Sequence, residues 1–313
     1  MLNYAARRVA LLAVLAATTV VTGSACGARP TATVGEHVIL AAPAPGPSAA
    51  PLPPPSPPTP TPRQTVTPTT PDSRAAGKPE LDPEPVLAAV TAVEPNTTLG
   101  AVVYDRVSGT TVLSVDADRQ FRSASLVKLM IAIDLLDRGA SESERRQITG
   151  MLSKSDDDIA SALWVSGGPD LIPRVVTLVG LQGTEPPELA GKWGEVKVTP
   201  DDMVRMYRYV MERMPAADRA LVVDALAYAP QYAADGFDQY FGIPDGLAAQ
   251  WAVKQGWGNN DHAMVLHSTG LVGEGWRYVV ILLTEHPLGS GWRTSADSVT
   301  AAASELDGEL PAA

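Results

Sequence analysis

The stretch Phe121-Arg-Ser-Ala-Ser125-Leu-Val-Lys128-Leu-Met130 governs the reading of this chain. It opens a run, Leu126 to Leu136, in which nearly every residue is apolar. A helix apolar on all sides belongs inside a domain. Asp137, Arg138 and Gly139 supply an ordinary C-terminal stop. Into this buried helix the sequence sets one hydroxyl and one amine, Ser125 and Lys128. Three residues apart, they share a face and can touch. Ser125 falls in the first turn, where free N–H groups and the helix dipole favour negative charge. Lys128 lies a turn deeper, where loss of solvent lowers a lysine pKa. An amine made partly neutral beside a hydroxyl is an activated nucleophile. Taken alone, the motif fits equally well an N-cap serine followed by a lysine that snorkels to the surface.

Working outward, the pattern predicts one domain over residues 81–313, long enough to bury a sizeable core. Asp82-Pro83-Glu84 carries the cap, first-turn proline and acid of a helix start. Thr98 to Asp105 and Thr110 to Val115 flank Ser108-Gly109 as a hairpin. The middle reads as helical: Asp156 to Val165, Asp170 to Leu178, and a helix capped by Thr199-Pro200 with Met203, Met206 and Tyr207 inward. Those methionines at helical spacing are core rather than a binding stripe. Strands return at Trp251 to Lys254, Ala263 to Ser268 and Tyr278 to Thr284, and a last helix runs from about Ser295 to Leu306. Two strands early, three late and helices between predict an α+β fold. One antiparallel five-stranded sheet packs against the terminal helices and carries a helical subdomain.

Ahead of this domain, residues 1–25 read as a secretory signal, with Arg7 and Arg8 before an apolar run from Val9 to Val21. That run is short for a membrane span. Gly23-Ser24-Ala25 precedes Cys26, the only cysteine of the 313 residues, so no intrachain disulfide can form. Small residues before a lone cysteine resemble a bacterial lipobox, although Gly23 stands where an aliphatic residue is usual. The resemblance implies cleavage before Cys26, its lipidation, and a location on the extracytoplasmic face of the cell membrane. Residues 26–80 form a Pro-rich tether: thirteen of 28 prolines lie between Pro43 and Pro71. At about 3.1 Å per residue in polyproline II, it could span on the order of 150 Å. Val38-Ile39-Leu40 is the one stretch in it able to pack on something.

The predicted order of elements brings three short motifs toward one place: Ser125 with Lys128, then Ser155-Asp156-Asp157, then Lys254-Gln255-Gly256. The order S-x-x-K, S-D-x, K-x-G resembles the class A β-lactamases and related penicillin-recognising serine peptidases. The resemblance runs from about residue 84 to the end. Only one of the six lysines has a serine three residues before it. K-x-G also occurs at Lys192-Trp193-Gly194, but Lys254 lies on a strand followed by two strands and a helix. Ser268-Thr269-Gly270 echoes the third motif without its lysine. The resemblance implies that Ser125 is the nucleophile, Lys128 its activating amine, Ser155 a proton relay and Lys254 a cation for a substrate carboxylate. Asp157, Gln255 and Gly256 then fall at substrate-binding positions. Asp157 replaces an asparagine, accepts only, and holds Lys128 charged. Gln255 replaces a small hydroxyl and is long enough to fill its space, while Trp257 adds bulk. In the loop Glu185-Pro186-Pro187-Glu188-Leu189-Ala190, Glu185 is the candidate base for deacylation only if an insertion is allowed. The acids 156–158 also fit a simple helix N-terminus, and Glu185 a solvated loop.

No cofactor is expected. The four histidines, His37, His262, His267 and His286, have no metal spacing. No glycine-rich phosphate loop follows a strand, and a net charge of −11 argues against nucleic acid. Arg277 and Arg293 are further candidate cations. The expected partners are the membrane, through the lipid anchor, and a peptidoglycan stem peptide or β-lactam, with the chain a monomer. Three functions fit: a serine acyl-transfer enzyme with poor turnover, a degenerate relative that binds wall peptides, or an envelope scaffold.

Overall fold

The computed structural model describes residues 81–310. The signal, Cys26 and the Pro-rich tether lie outside the described residues. Helix α1 (Pro83–Val93) starts as its sequence dictates, with the Asp82 carboxylate accepting from the Glu84 N–H. Strands β1 (Thr98–Asp105) and β2 (Thr110–Val115) form the expected hairpin. Strands β5 (Trp251–Asn259), β6 (Met264–Val272) and β7 (Tyr278–His286) complete a five-stranded antiparallel sheet in the order β2-β1-β7-β6-β5. These late strands run longer than the sequence pattern indicates. Hydrophobicity ends at Lys254 while the ladder continues through Gln255, Gly256 and Trp257.

The sheet is buried on both faces, so its central strands read as continuous apolar runs instead of alternating. Val102, Val279, Ile281 and Leu283 face the helical middle of the chain. Ala101, Val103, Val280 and Leu282 face α1 and the last helix, α9 (Trp292–Ser304). On the first face lies α2 (Val127–Asp137), buried along its whole length except at Asp137. It is surrounded by α3 (Glu142–Lys154), α4 (Asp157–Gly167), α5 (Leu171–Val179), α6 (Pro200–Glu212) and α7 (Ala216–Ala227). Met203, Met206 and Tyr207 are core residues of α6. Helix α3 was not legible as a separate element, although Ser141 and Glu144 form a capping box at its start. The short α8 (Ile243–Gly246) leads into β5. Two further short strands, β3 (Phe121–Arg122) and β4 (Lys197–Val198), pair antiparallel. That pairing brings the loop before α6 to the mouth of α2.

Candidate active site

The peptide enters α2 through a tight 3-10 turn, Ala124–Leu126, immediately after β3. Ala124 takes the left-handed conformation, with φ 43°. A non-glycine residue there is strained, and such strain gathers at functional sites. The turn sets Ser125 at the floor of a cleft of about 410 Å³, with Lys128 fully buried beneath it. The Lys128 Nζ lies 2.6 Å from Ser125 Oγ and 2.6 Å from Asp157 Oδ1. Burial lowers the Lys128 pKa, and the Asp157 carboxylate works against that fall. Both influences anticipated from sequence are present, and burial is the larger.

Ser155 caps the end of α3, again in the left-handed conformation, with φ 53°. Asp156 caps α4 by accepting from the Ile159 N–H, which leaves Asp157, in the first turn, turned toward Lys128. Lys254 reaches Ser155 from β5. Its Nζ donates to Ser155 Oγ at 2.9 Å and to the Gln255 carbonyl at 2.8 Å. It is 1% exposed, and its pKa falls well below the ordinary lysine value through burial, reinforced by the neighbouring Lys128 charge. The three motifs therefore meet at one place. Gly256 makes that meeting close: a Cβ there would lie 3.0 Å from the Ser123 carbonyl and 3.1 Å from Leu126.

Ladder parity orients this edge. The pairs Gln250–Gly273 and Asn260–Ala263 are hydrogen-bonded, so the even residues of β5 bond to β6. The N–H groups of Gln255 and Trp257 point off the free edge, toward the turn that carries Ser125. The Gln255 side chain does not enter the substrate space. It lies on the opposite face of the sheet, where its Nε2 donates to the carbonyls of Gln239 and Phe241. A strand alternates its side chains, and Val253, Gln255 and Trp257 share the face away from α2. The Gln255 Oε1 is buried with no partner among the described residues. Trp257 stacks on Phe237 at 4.7 Å, and its Nε1 donates to Asp235.

Glu185 is placed elsewhere. It exchanges backbone hydrogen bonds with Lys197 at the neck of the loop and lines a neighbouring cleft with Glu188 and Asp261. The fully buried Asp202 anchors the start of that loop by accepting from the N–H groups of Gln182 and Gly183 and from the Thr184 hydroxyl. What the loop brings to Ser125 is Trp193. Its ring lies 4.6 Å from Lys128 Nζ, and its Nε1 donates to Ser161 Oγ at 3.2 Å. Trp193 sits in the K-x-G triplet that the sequence argument set aside, and no spacing pointed to it. Arg122, paired with Glu195 at 2.9 Å, also lines the cleft. Arg277 is locked to the buried Asp105, and Arg293 is nearly fully exposed, so neither serves the cleft. Among the described residues no group of three His, Cys, Asp or Glu side chains could hold a metal ion, and no helix is long and apolar enough to cross a membrane.

This architecture has the fold of the class A β-lactamases. The β-lactamase of Sphaerobacter thermophilus superimposes with TM-score 0.56 at 21% identity, covering 74% of this chain and 100% of that one. An ancestral class A β-lactamase gives 0.56 at 17%, covering 71% and 97%. A PBP-A mutant, solved as its acyl-enzyme complex with penicillin G, gives 0.55 at 19%, covering 73% and 98%. In sequence the chain is 32% identical over 295 residues to the protein named "Putative lipoprotein LppW" in Mycobacterium tuberculosis and in Mycobacterium bovis, across 90% of this chain and 92% of the relative. The chain belongs to the LppW lipoprotein family. No protein-family model matches it.

Proposed function

We propose that this lipoprotein is a serine acyl-acceptor of the cell envelope, held to the membrane through lipid on Cys26. β-Lactams or D-alanyl peptides of the wall acylate it at Ser125 and leave slowly. The observation that carries this reading is the 2.6 Å contact between Lys128 Nζ and Ser125 Oγ at the floor of an open cleft. A neutral Lys128 takes the Ser125 proton as Oγ bonds to the acyl carbon. The C–N bond to the leaving nitrogen breaks, and that nitrogen takes the proton through the Ser155 hydroxyl, which Lys254 holds in place. The first-turn N–H of Ser125 and the edge N–H of Trp257 are suited to the oxyanion. Asp157 opposes the loss of the Lys128 proton that this step needs, although burial favours it, so acylation is slow.

Deacylation is slower still. Glu185 lines another cleft, and the face of Lys128 that a water would approach carries the Trp193 ring. Binding without turnover is the limiting case of the same site. Intact mass of the full chain after exposure to a penicillin tests the reading. A stoichiometric adduct, absent in Ser125→Ala, is expected; an unmodified wild-type chain would sink it.

A further inference from the structure

Asp157 is the exposed carboxylate of the cleft. Its side chain is 65% exposed, and one oxygen is engaged by Lys128. The other oxygen, Oδ2, has no partner among the described residues. An ionised carboxylate only accepts, so a ligand group seated on Oδ2 must donate. Trp193, whose ring covers Lys128, and Trp257, whose ring stacks on Phe237, also line the cleft. An acceptor-only carboxylate suits a primary ammonium better than an amide carbonyl, which has no hydrogen to give it. Of the cationic side chains at the cleft, Arg122 pairs with Glu195, Lys192 is exposed on the rim, and Lys254 is spent on Ser155 and Gln255.

Resting on the acyl-acceptor reading, we infer that the cleft selects acyl donors bearing a free amine next to the acyl carbon, with Asp157 as the ammonium anchor. Unblocked aminoacyl groups are then transferred to Ser125 fastest, and N-acylated donors, penicillins and wall peptides among them, only slowly. The arrangement also ties activation to occupancy. A substrate ammonium on Asp157 shares the charge that otherwise holds the Lys128 proton in place. Lys128 becomes free to take the Ser125 proton when the right substrate is seated. Asn at this position would do the reverse, donating its amide to an N-acyl carbonyl.

The test uses the full chain in detergent with alanine benzyl ester, in both enantiomers, and the matching N-acetyl esters. Mass spectrometry follows acylation of Ser125. The free-amine ester is expected to acylate at least about tenfold faster, the equivalent of one ionic contact of roughly 1.4 kcal/mol. Asp157→Asn is expected to reverse the preference. In parallel, alaninamide is titrated calorimetrically into Ser125→Ala and into Ser125→Ala with Asp157→Asn, where binding is expected to weaken by a similar factor. Equal or faster reaction of the N-acetyl ester in the wild type, or a ratio unmoved by Asp157→Asn, overturns the inference. Absence of acylation by either ester, with Asp157-dependent alaninamide binding intact, overturns the acyl-acceptor reading and upholds the amine site. Absence of both overturns both.

Discussion

Acidification should unfold this domain through two buried histidines, one of which ties the segment leading to Ser125 to the sheet. His267 joins that turn to the sheet: its Nδ1 accepts from the Thr284 N–H at 3.1 Å, which leaves Nε2–H to donate to the Arg122 carbonyl at 2.7 Å. Thr284 Oγ1 gives its hydrogen to the Leu266 carbonyl, so His286 Nε2 donates to it, and His286 Nδ1 accepts from the Thr97 hydroxyl. Each ring is therefore fixed as one neutral tautomer, and a second proton would set N–H against a donor. Burial pushes His267 down to about 3 and His286 down to about 4. With pKa depressed in the folded state, the unfolded chain binds more protons from about pH 6.5 downward. The stability is whole above pH 6.5 and is lost as pH falls toward 4 and 3. At pH 5 both rings are still neutral when folded and charged when unfolded, so each costs about 2 kcal/mol relative to pH 7, and the pair about 4. Urea unfolding at pH 7 and pH 5 measures this. In His267→Gln and in His286→Gln the loss between the two pH values should shrink by about 2 kcal/mol, whatever the absolute stability. Buried amines and carboxylates contribute alike to wild type and variants and cancel. Variants that lose as much stability as the wild type would show the reasoning to be wrong, as would an NMR titration of either ring with a midpoint above pH 5.

Other outcomes follow from the same geometry. Gly256→Val, whose Cβ would press on the Ser123 carbonyl and Leu126, should destabilise the domain by about 1–3 kcal/mol in urea unfolding. It should also abolish acylation of Ser125 in the mass assay. Cys26→Ala should remove the lipid mass and release the chain from detergent phase into buffer. Glu185→Gln should leave the lifetime of a penicillin adduct unchanged. Trp193→Gly, which uncovers Lys128, should shorten it several-fold, read by the decay of the adduct mass.

Much of this was legible beforehand, for identifiable reasons. The all-apolar run 126–136 could only be an interior helix, and the early hairpin carried its own alternation. The convergence of Ser125, Ser155 and Lys254 followed from sheet topology: the sheet closes with early and late strands, and β5 forms its edge beside α2. What stayed hidden depended on side-chain direction. Gln255 stands one residue from Lys254 and therefore faces the other side of the strand, which a motif match does not weigh. Glu185 was sought because the loop needed an acid. The loop is pinned at its neck by backbone pairing with Lys197 and on its flank by Trp164 Nε1 donating to the Ala190 carbonyl. Those anchors turn Trp193, not Glu185, inward. An aromatic at no fixed spacing gives no signal until the loop is closed.

The site's electrostatics point the same way as its shape. Two amines lie almost fully buried, and only one of them, Lys128, touches a carboxylate. Lys254 is held by a hydroxyl and a carbonyl, both neutral. A charged, unpaired amine in such a place is costly, and the depressed Lys254 value expresses that cost. The floor of the cleft thus sets one paired amine, Lys128, and one amine held by neutral groups, Lys254, beside the Ser125 and Ser155 hydroxyls. The rim is different: Asp157, Glu195 and Arg122 line it, and the loop acid Glu185 lies in the neighbouring cleft. Trp193 covers Lys128 with its ring, 4.6 Å from Nζ. On the proposed reading, bond formation at Ser125 has its base directly beneath it while the loop acid Glu185 is not placed to serve hydrolysis, so the acylated state is expected to persist.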